Sequence, residues 1–85
     1  MNYVYILRCE KDYGLYIGYT RDLKKRFNQH SKGQSTATKH RLPVRLIYYE
    51  AFLNNADARA REEYLKSGYG RQQLKSMLKN SIKNT

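Results

Sequence analysis

A chain of 85 residues makes one domain with a small core. Seventeen Lys and Arg oppose seven Asp and Glu, and the formal net charge of +10 favours a polyanionic partner, most simply nucleic acid. The single cysteine excludes an internal disulfide and a cysteine-cluster zinc site; no apolar run reaches the ~18–20 residues of a membrane span, and no charged-then-apolar leader opens the chain, so a cytoplasmic protein is expected.

Residues 3–9, YVYILRC, are rich in β-branched and aromatic types and read as a strand, with Cys9 a small half-buried member. EKDYG at 10–14 is a turn, and LYIGY at 15–19 is a second strand; the short connection makes an antiparallel hairpin. TRDLKKRFNQHSKG predicts a helix capped by Thr20, favoured by Asp22 in its first turn and stopped by Gly33. GQSTATKHRLP at 33–43 is a polar loop ending in the only proline. VRLIYYEAF at 44–52 is a third strand. NNADARAREEYLKSG is a second helix, from its Asn caps to Gly68, and RQQLKSMLKNSI at 71–82 a third with Leu74, Met77, Leu78 and Ile82 on one face. The order β-β-α-β-α-α argues α+β, with helices on a small antiparallel sheet.

The positive charge is clustered. Residues 21–45 hold Arg21, Lys24, Lys25, Arg26, Lys32, Lys39, Arg41 and Arg45 against Asp22 alone; beyond Glu63 come Lys66, Arg71, Lys75, Lys79 and Lys83 with no acid. Two basic segments in one small domain suit nucleic acid, although charge says nothing of sequence preference.

Helical spacing selects within these clusters. Leu23, Arg26, Phe27 and His30 follow i, i+3, i+4, i+7 and share the face that meets the sheet. An arginine there needs a partner or must snorkel to water. Ala58, Arg61, Glu62 and Leu65 repeat the pattern, so Glu62 lies on an inward stripe. Such a carboxylate either pairs with an arginine, which spacing favours, or holds a divalent cation. On the second strand, alternation puts Leu15, Ile17 and Tyr19 on one side and Tyr16, Gly18 and Thr20 on the other. Gly18 is expected to leave open backbone beside Tyr16, where a phosphate fits.

YVY at 3–5, YIG at 16–18 and T-x-D-L-x-x-R-x-x-x-H from Thr20 to His30 together resemble the GIY-YIG nuclease superfamily, in its short single-domain members. RLPVRLIYYEAF, A-x-x-R-E at 58–62 and YLKSGYGR at 64–71 extend the resemblance over roughly Asn2 to Leu78. It implies a three-stranded antiparallel sheet flanked by helices, in a single domain over 1–85, and metal-dependent cleavage of nucleic-acid phosphodiesters, with DNA expected rather than RNA. By the resemblance, Tyr5, Tyr16, Arg26 and His30 are catalytic and Glu62 holds one Mg²⁺ or Mn²⁺. Substrate contacts are expected from Gly18, Tyr19, Lys24, Lys25, Lys39 and Arg41. Arg26 then offsets charge on the phosphate, and Tyr16 with Tyr5 orients or deprotonates the attacking water. A tyrosine with an ordinary pKa near ~10 needs a nearby cation to lower it, and His30, near ~6.5, is the other candidate base.

Two departures stand out. Tyr19 replaces a lysine that some relatives carry after the YIG glycine, and no convincing asparagine follows Glu62 at the distance some relatives show. A binding module of the same fold with little cleavage is the alternative, its tyrosines stacking on bases. A protein-binding role is a third reading, and zinc on His30, His40 and Glu62 a remote fourth.

Overall fold

The computed structural model describes residues 1–83. Strand β1 (Asn2–Cys9), strand β2 (Gly14–Thr20), helix α1 (Leu23–Ser31), strand β3 (Val44–Phe52), helix α2 (Asn55–Lys66) and helix α3 (Gly68–Met77) follow in the expected order. The fold is α+β, and the antiparallel sheet runs β2-β1-β3.

The central position of β1 explains its composition. Covered on both faces, it runs almost wholly buried from Val4 to Cys9 instead of alternating between core and water. On one face Val4, Ile6 and Ile17 pack with Ala58 and Leu65 of α2 and with Leu74 and Leu78. On the other face Tyr5, Leu7, Cys9 and Val44 pack with Tyr16 and with Leu23 and Phe27 of α1. The sheet therefore separates α1 from the α2–α3 pair. Leu65 and Leu74 have no exposed surface, and truncating either to Ala costs about 2–5 kcal/mol, a large share of the ~5–15 kcal/mol typical of a domain. Arg61 ties α2 to β3 through a forked pair with Glu50, at 2.9 and 3.0 Å.

Several local expectations are corrected. Asp22, not Thr20, caps α1, its carboxylate accepting from the Lys25 N–H at 3.1 Å. Thr20 still belongs to β2, and its hydroxyl accepts from the Asp22 N–H instead. Helix α3 begins at Gly68, because Ser67 both ends α2 and caps the next helix by accepting from the Gly70 N–H. Gly70 lets the helices meet: a Cβ there would collide with the Tyr64 carbonyl. Helix α3 also stops at Met77, which is exposed, while Leu78 is buried just beyond the helix. Cys9 is fully buried rather than half-buried, and burial pushes its thiol pKa up.

Candidate active site

The site is built on the α1 face of the sheet. Tyr5 leaves the central strand and leans toward the outer strand β2. Its cross-strand neighbour is Gly18, and a Cβ on Gly18 would collide with the far end of the Tyr5 ring. Gly18 therefore does not offer open backbone to a phosphate, as its place beside Tyr16 suggested. It makes room for a phenol. Tyr16, two residues earlier on the same face of β2, brings its ring to 6.2 Å from that of Tyr5 and 5.1 Å from that of His30.

Helix α1 supplies the other half. Its four-residue spacing places Arg26 and His30 on consecutive turns facing the sheet. His30 is fully buried, with Nε2 2.8 Å from the Tyr5 hydroxyl and Nδ1 2.7 Å from the Thr38 hydroxyl. A neutral imidazole has one donor and one acceptor, so it satisfies both contacts in either tautomer. Burial, with the nearby Arg26 charge, lowers the His30 pKa to about 4. Burial pushes Tyr5 up to about 12; the Arg26 hydrogen bond opposes that rise, and the Glu62 charge adds to it. For Tyr5, the Arg26 cation does not bring the phenol into the neutral range. Desolvation outweighs one weak hydrogen bond.

Arg26 is half-buried. It donates from Nε to Tyr5 at 3.4 Å, from Nη1 to the Gln29 side-chain oxygen at 3.1 Å and from Nη2 to the Ser35 hydroxyl at 3.4 Å. All three acceptors are neutral, and among the described residues no carboxylate pairs with this guanidinium. Its charge is positioned but not neutralised.

Glu62 approaches from α2, which packs on the opposite face of the sheet. Its side chain is 14% exposed and pairs within its own helix, with Arg59 at 3.6 Å and Lys66 at 3.1 Å. The ion pair favoured by spacing exists, then, but it does not involve the helix α1 arginine. Arg59 is itself stacked on Tyr19, 3.8 Å from the ring centroid. No group of three or more His, Cys, Asp or Glu side chains is assembled among the described residues, and His40 is exposed, which removes the zinc reading.

The expected substrate-contact residues scatter. Lys24 and Lys25 are exposed on α1, and Lys24 also borders a groove with Tyr3, Arg21, Phe27 and Tyr49. Lys39 is exposed in the loop after α1. Arg41 is engaged by Asp12, with Nε 2.8 Å from the carboxylate. Tyr19 points to the other face, where it donates to the Asn2 side chain at 2.8 Å and receives a hydrogen bond from Asn55. Sequence reasoning missed Ser35 and Thr38, both buried in the loop that follows α1. The signal available was a run of small hydroxyl residues, STAT at 35–38, in a polar loop.

Known proteins match this chain along most of its length. The family model described as the GIY-YIG catalytic domain matches residues 1–75. A UPF0213 protein of Clostridium perfringens is 45% identical over 84 residues, covering 98% of this chain and 89% of that one. A UPF0213 protein of Pediococcus pentosaceus is 44% identical over 84 residues, covering 98% and 87%. The solution NMR structure of a UPF0213 protein from Bacillus halodurans shares the fold with a TM-score of 0.57 at 40% identity, covering 91% of this chain and 85% of that one. The chain belongs to the GIY-YIG nuclease family, among its small UPF0213 members.

Proposed function

We propose that this protein is a divalent-metal-dependent endonuclease that hydrolyses phosphodiester bonds in DNA. One observation carries the reading: the Arg26 guanidinium, held by three neutral oxygens beside Tyr5 and Tyr16, is an unneutralised cation awaiting an anion. A scissile phosphate meets that need, and the charge it gains in the transition state is what Arg26 then offsets.

Tyr5 and His30 act as a pair. With Tyr5 near 12 and His30 near 4, both are neutral at pH 7. A phenolate base is therefore not the resting form. In the tautomer whose Nδ1–H donates to Thr38, Nε2 accepts the Tyr5 proton. Tyr5 can then take a proton from water while passing its own to His30, so no isolated phenolate is needed. Tyr16, half-buried with its ring beside both, orients the water or the phosphate.

The donor set suits one hard cation. A single carboxylate, Glu62, matches Mg²⁺ or Mn²⁺, which keep several waters and draw further oxygen ligands from substrate phosphates. Glu62 would hold the ion once released from Arg59 and Lys66. When bound, the ion acts as a Lewis acid on the phosphate.

Those Glu62 ion pairs also favour a second reading, a nucleic-acid-binding module with little cleavage. Nicking of supercoiled plasmid at low salt with Mg²⁺ or Mn²⁺ separates the two. Wild type is expected to nick, chelator to stop it, and Arg26→Ala and Glu62→Ala each to lose about 10²–10³-fold. Plasmid binding without nicking selects the module. Equal nicking by all three proteins overturns the site.

A further inference from the structure

The face of the sheet opposite the tyrosines carries a second pocket, of about 520 Å³, between the β1–β2 turn and α3. Leu15 and Ile82 form its apolar floor over the buried Leu74, Tyr13 adds an aromatic wall, and Arg8, Arg71 and Lys75 bring three positive charges. Among the described residues no carboxylate lines it.

Arg8 is the unusual member. It is 2% exposed, yet among the described residues it has no acidic partner. One of its nitrogens donates to the Lys83 carbonyl at 3.0 Å, and its guanidinium lies 5.2 Å from the Tyr13 ring centroid. Its Nε is buried and finds no hydrogen-bond partner among the described residues. A covered guanidinium with one unsatisfied donor and no counter-ion is costly, and the nearby Arg71 and Lys75 add repulsion. An anion in the pocket offsets the charge of all three cations. The apolar floor and the tyrosine ring require in addition a flat apolar body, and the volume lies in the ~300–1,000 Å³ range of small-molecule pockets.

We propose that this pocket binds a nucleotide, with its phosphate toward Arg8, Arg71 and Lys75 and its base over the apolar floor beside Tyr13. The ligand is either a free mononucleotide or the phosphorylated end of a nucleic-acid strand. The site stands independently of the catalytic reading, because it lies beside α3 and uses none of the same side chains.

The test follows the arginine Nε–H and backbone amide NMR signals of the full chain during titration with adenosine monophosphate, adenosine or inorganic phosphate. The monophosphate is expected to shift the Arg8 Nε–H and Leu74 signals saturably, with adenosine and inorganic phosphate at least tenfold weaker. The double variant Arg71→Glu, Lys75→Glu, whose exposed positions leave the core intact, is expected to weaken the monophosphate at least tenfold with an unchanged melting curve. A short single strand bearing a 5′-phosphate identifies the source: at least tenfold tighter binding than the monophosphate assigns a strand end, and equal binding assigns a free nucleotide. No saturable shift at millimolar monophosphate, equal shifts with inorganic phosphate, shifts confined to the Tyr5 face, or unchanged affinity in the double variant would each overturn the proposal.

Discussion

Tyr5 and His30, 25 residues apart in the chain, share a buried 2.8 Å hydrogen bond that joins the central strand to α1. Burial favours the neutral form of each, raising the phenol to about 12 and lowering the imidazole to about 4. A histidine kept neutral makes folding sensitive to acid. The unfolded imidazole takes up its proton near 6.5 and the folded one near 4, so between these values the unfolded chain binds more protons. Stability is full above pH 6.5 and falls as the pH drops toward 4, by roughly 3 kcal/mol in all. Urea denaturation at a series of pH values checks this. His30→Gln should flatten the slope in that window, and a flat wild-type profile would mean that His30 is not held neutral.

Thr38 positions His30 through Nδ1. Thr38→Ala leaves a buried ring nitrogen unpaired and should cost about 1–3 kcal/mol of stability. Thr38→Ser keeps the hydroxyl and should restore most of it. In plasmid nicking, the alanine variant should lower kcat by about 10–100-fold with little change in KM, since acid–base assistance contributes about 10²–10⁴-fold. Loss of stability without any change in kcat would confine Thr38 to a structural role.

Gly18→Ala tests the placement of the phenol. The added methyl meets the Tyr5 ring in a packed interior. Overpacking of this kind costs about 1–3 kcal/mol and displaces the hydroxyl from His30 and Arg26. A lowered melting temperature together with weakened nicking is expected. A fully stable, fully active variant would show that the ring does not cross the glycine.

Arg26→Lys keeps the charge but loses the planar fork that reaches Tyr5, Gln29 and Ser35. Nicking should fall by about 10²-fold while the salt dependence of DNA binding changes little, because the number of cations is the same. Near-normal cleavage would reduce Arg26 to one charge among many.

Glu62→Gln preserves shape and removes the charge. Mn²⁺-induced broadening of NMR signals around Glu62 should disappear, and Arg59→Ala should strengthen it by releasing one competing cation. Broadening that survives the glutamine substitution would move the metal elsewhere.

Much of this arrangement was legible in the chain. Spacing put Leu23, Arg26, Phe27 and His30 on one face of α1, and the structure packs that face toward the sheet, because one stripe of a short helix must be buried. Alternation separated Tyr16 and Gly18 from Ile17 and Tyr19; the two cores divide Tyr16 from Ile17 and Tyr19 the same way, and Gly18 lies against the Tyr5 ring. Local pattern failed where the deciding contact lies far away in sequence. Ser35 and Thr38 sit in a loop without period, and only the folded loop brings their hydroxyls to Arg26 and His30. The purpose of Gly18 depends on strand register against Tyr5, and the partners of Glu62 depend on side-chain choice among several nearby cations. The sequence by itself determined the elements and their buried stripes, because periodicity is a local property of the backbone. Tertiary structure alone decided which polar atoms meet and how far burial moves their protons, because hydrogen bonding and desolvation act through space.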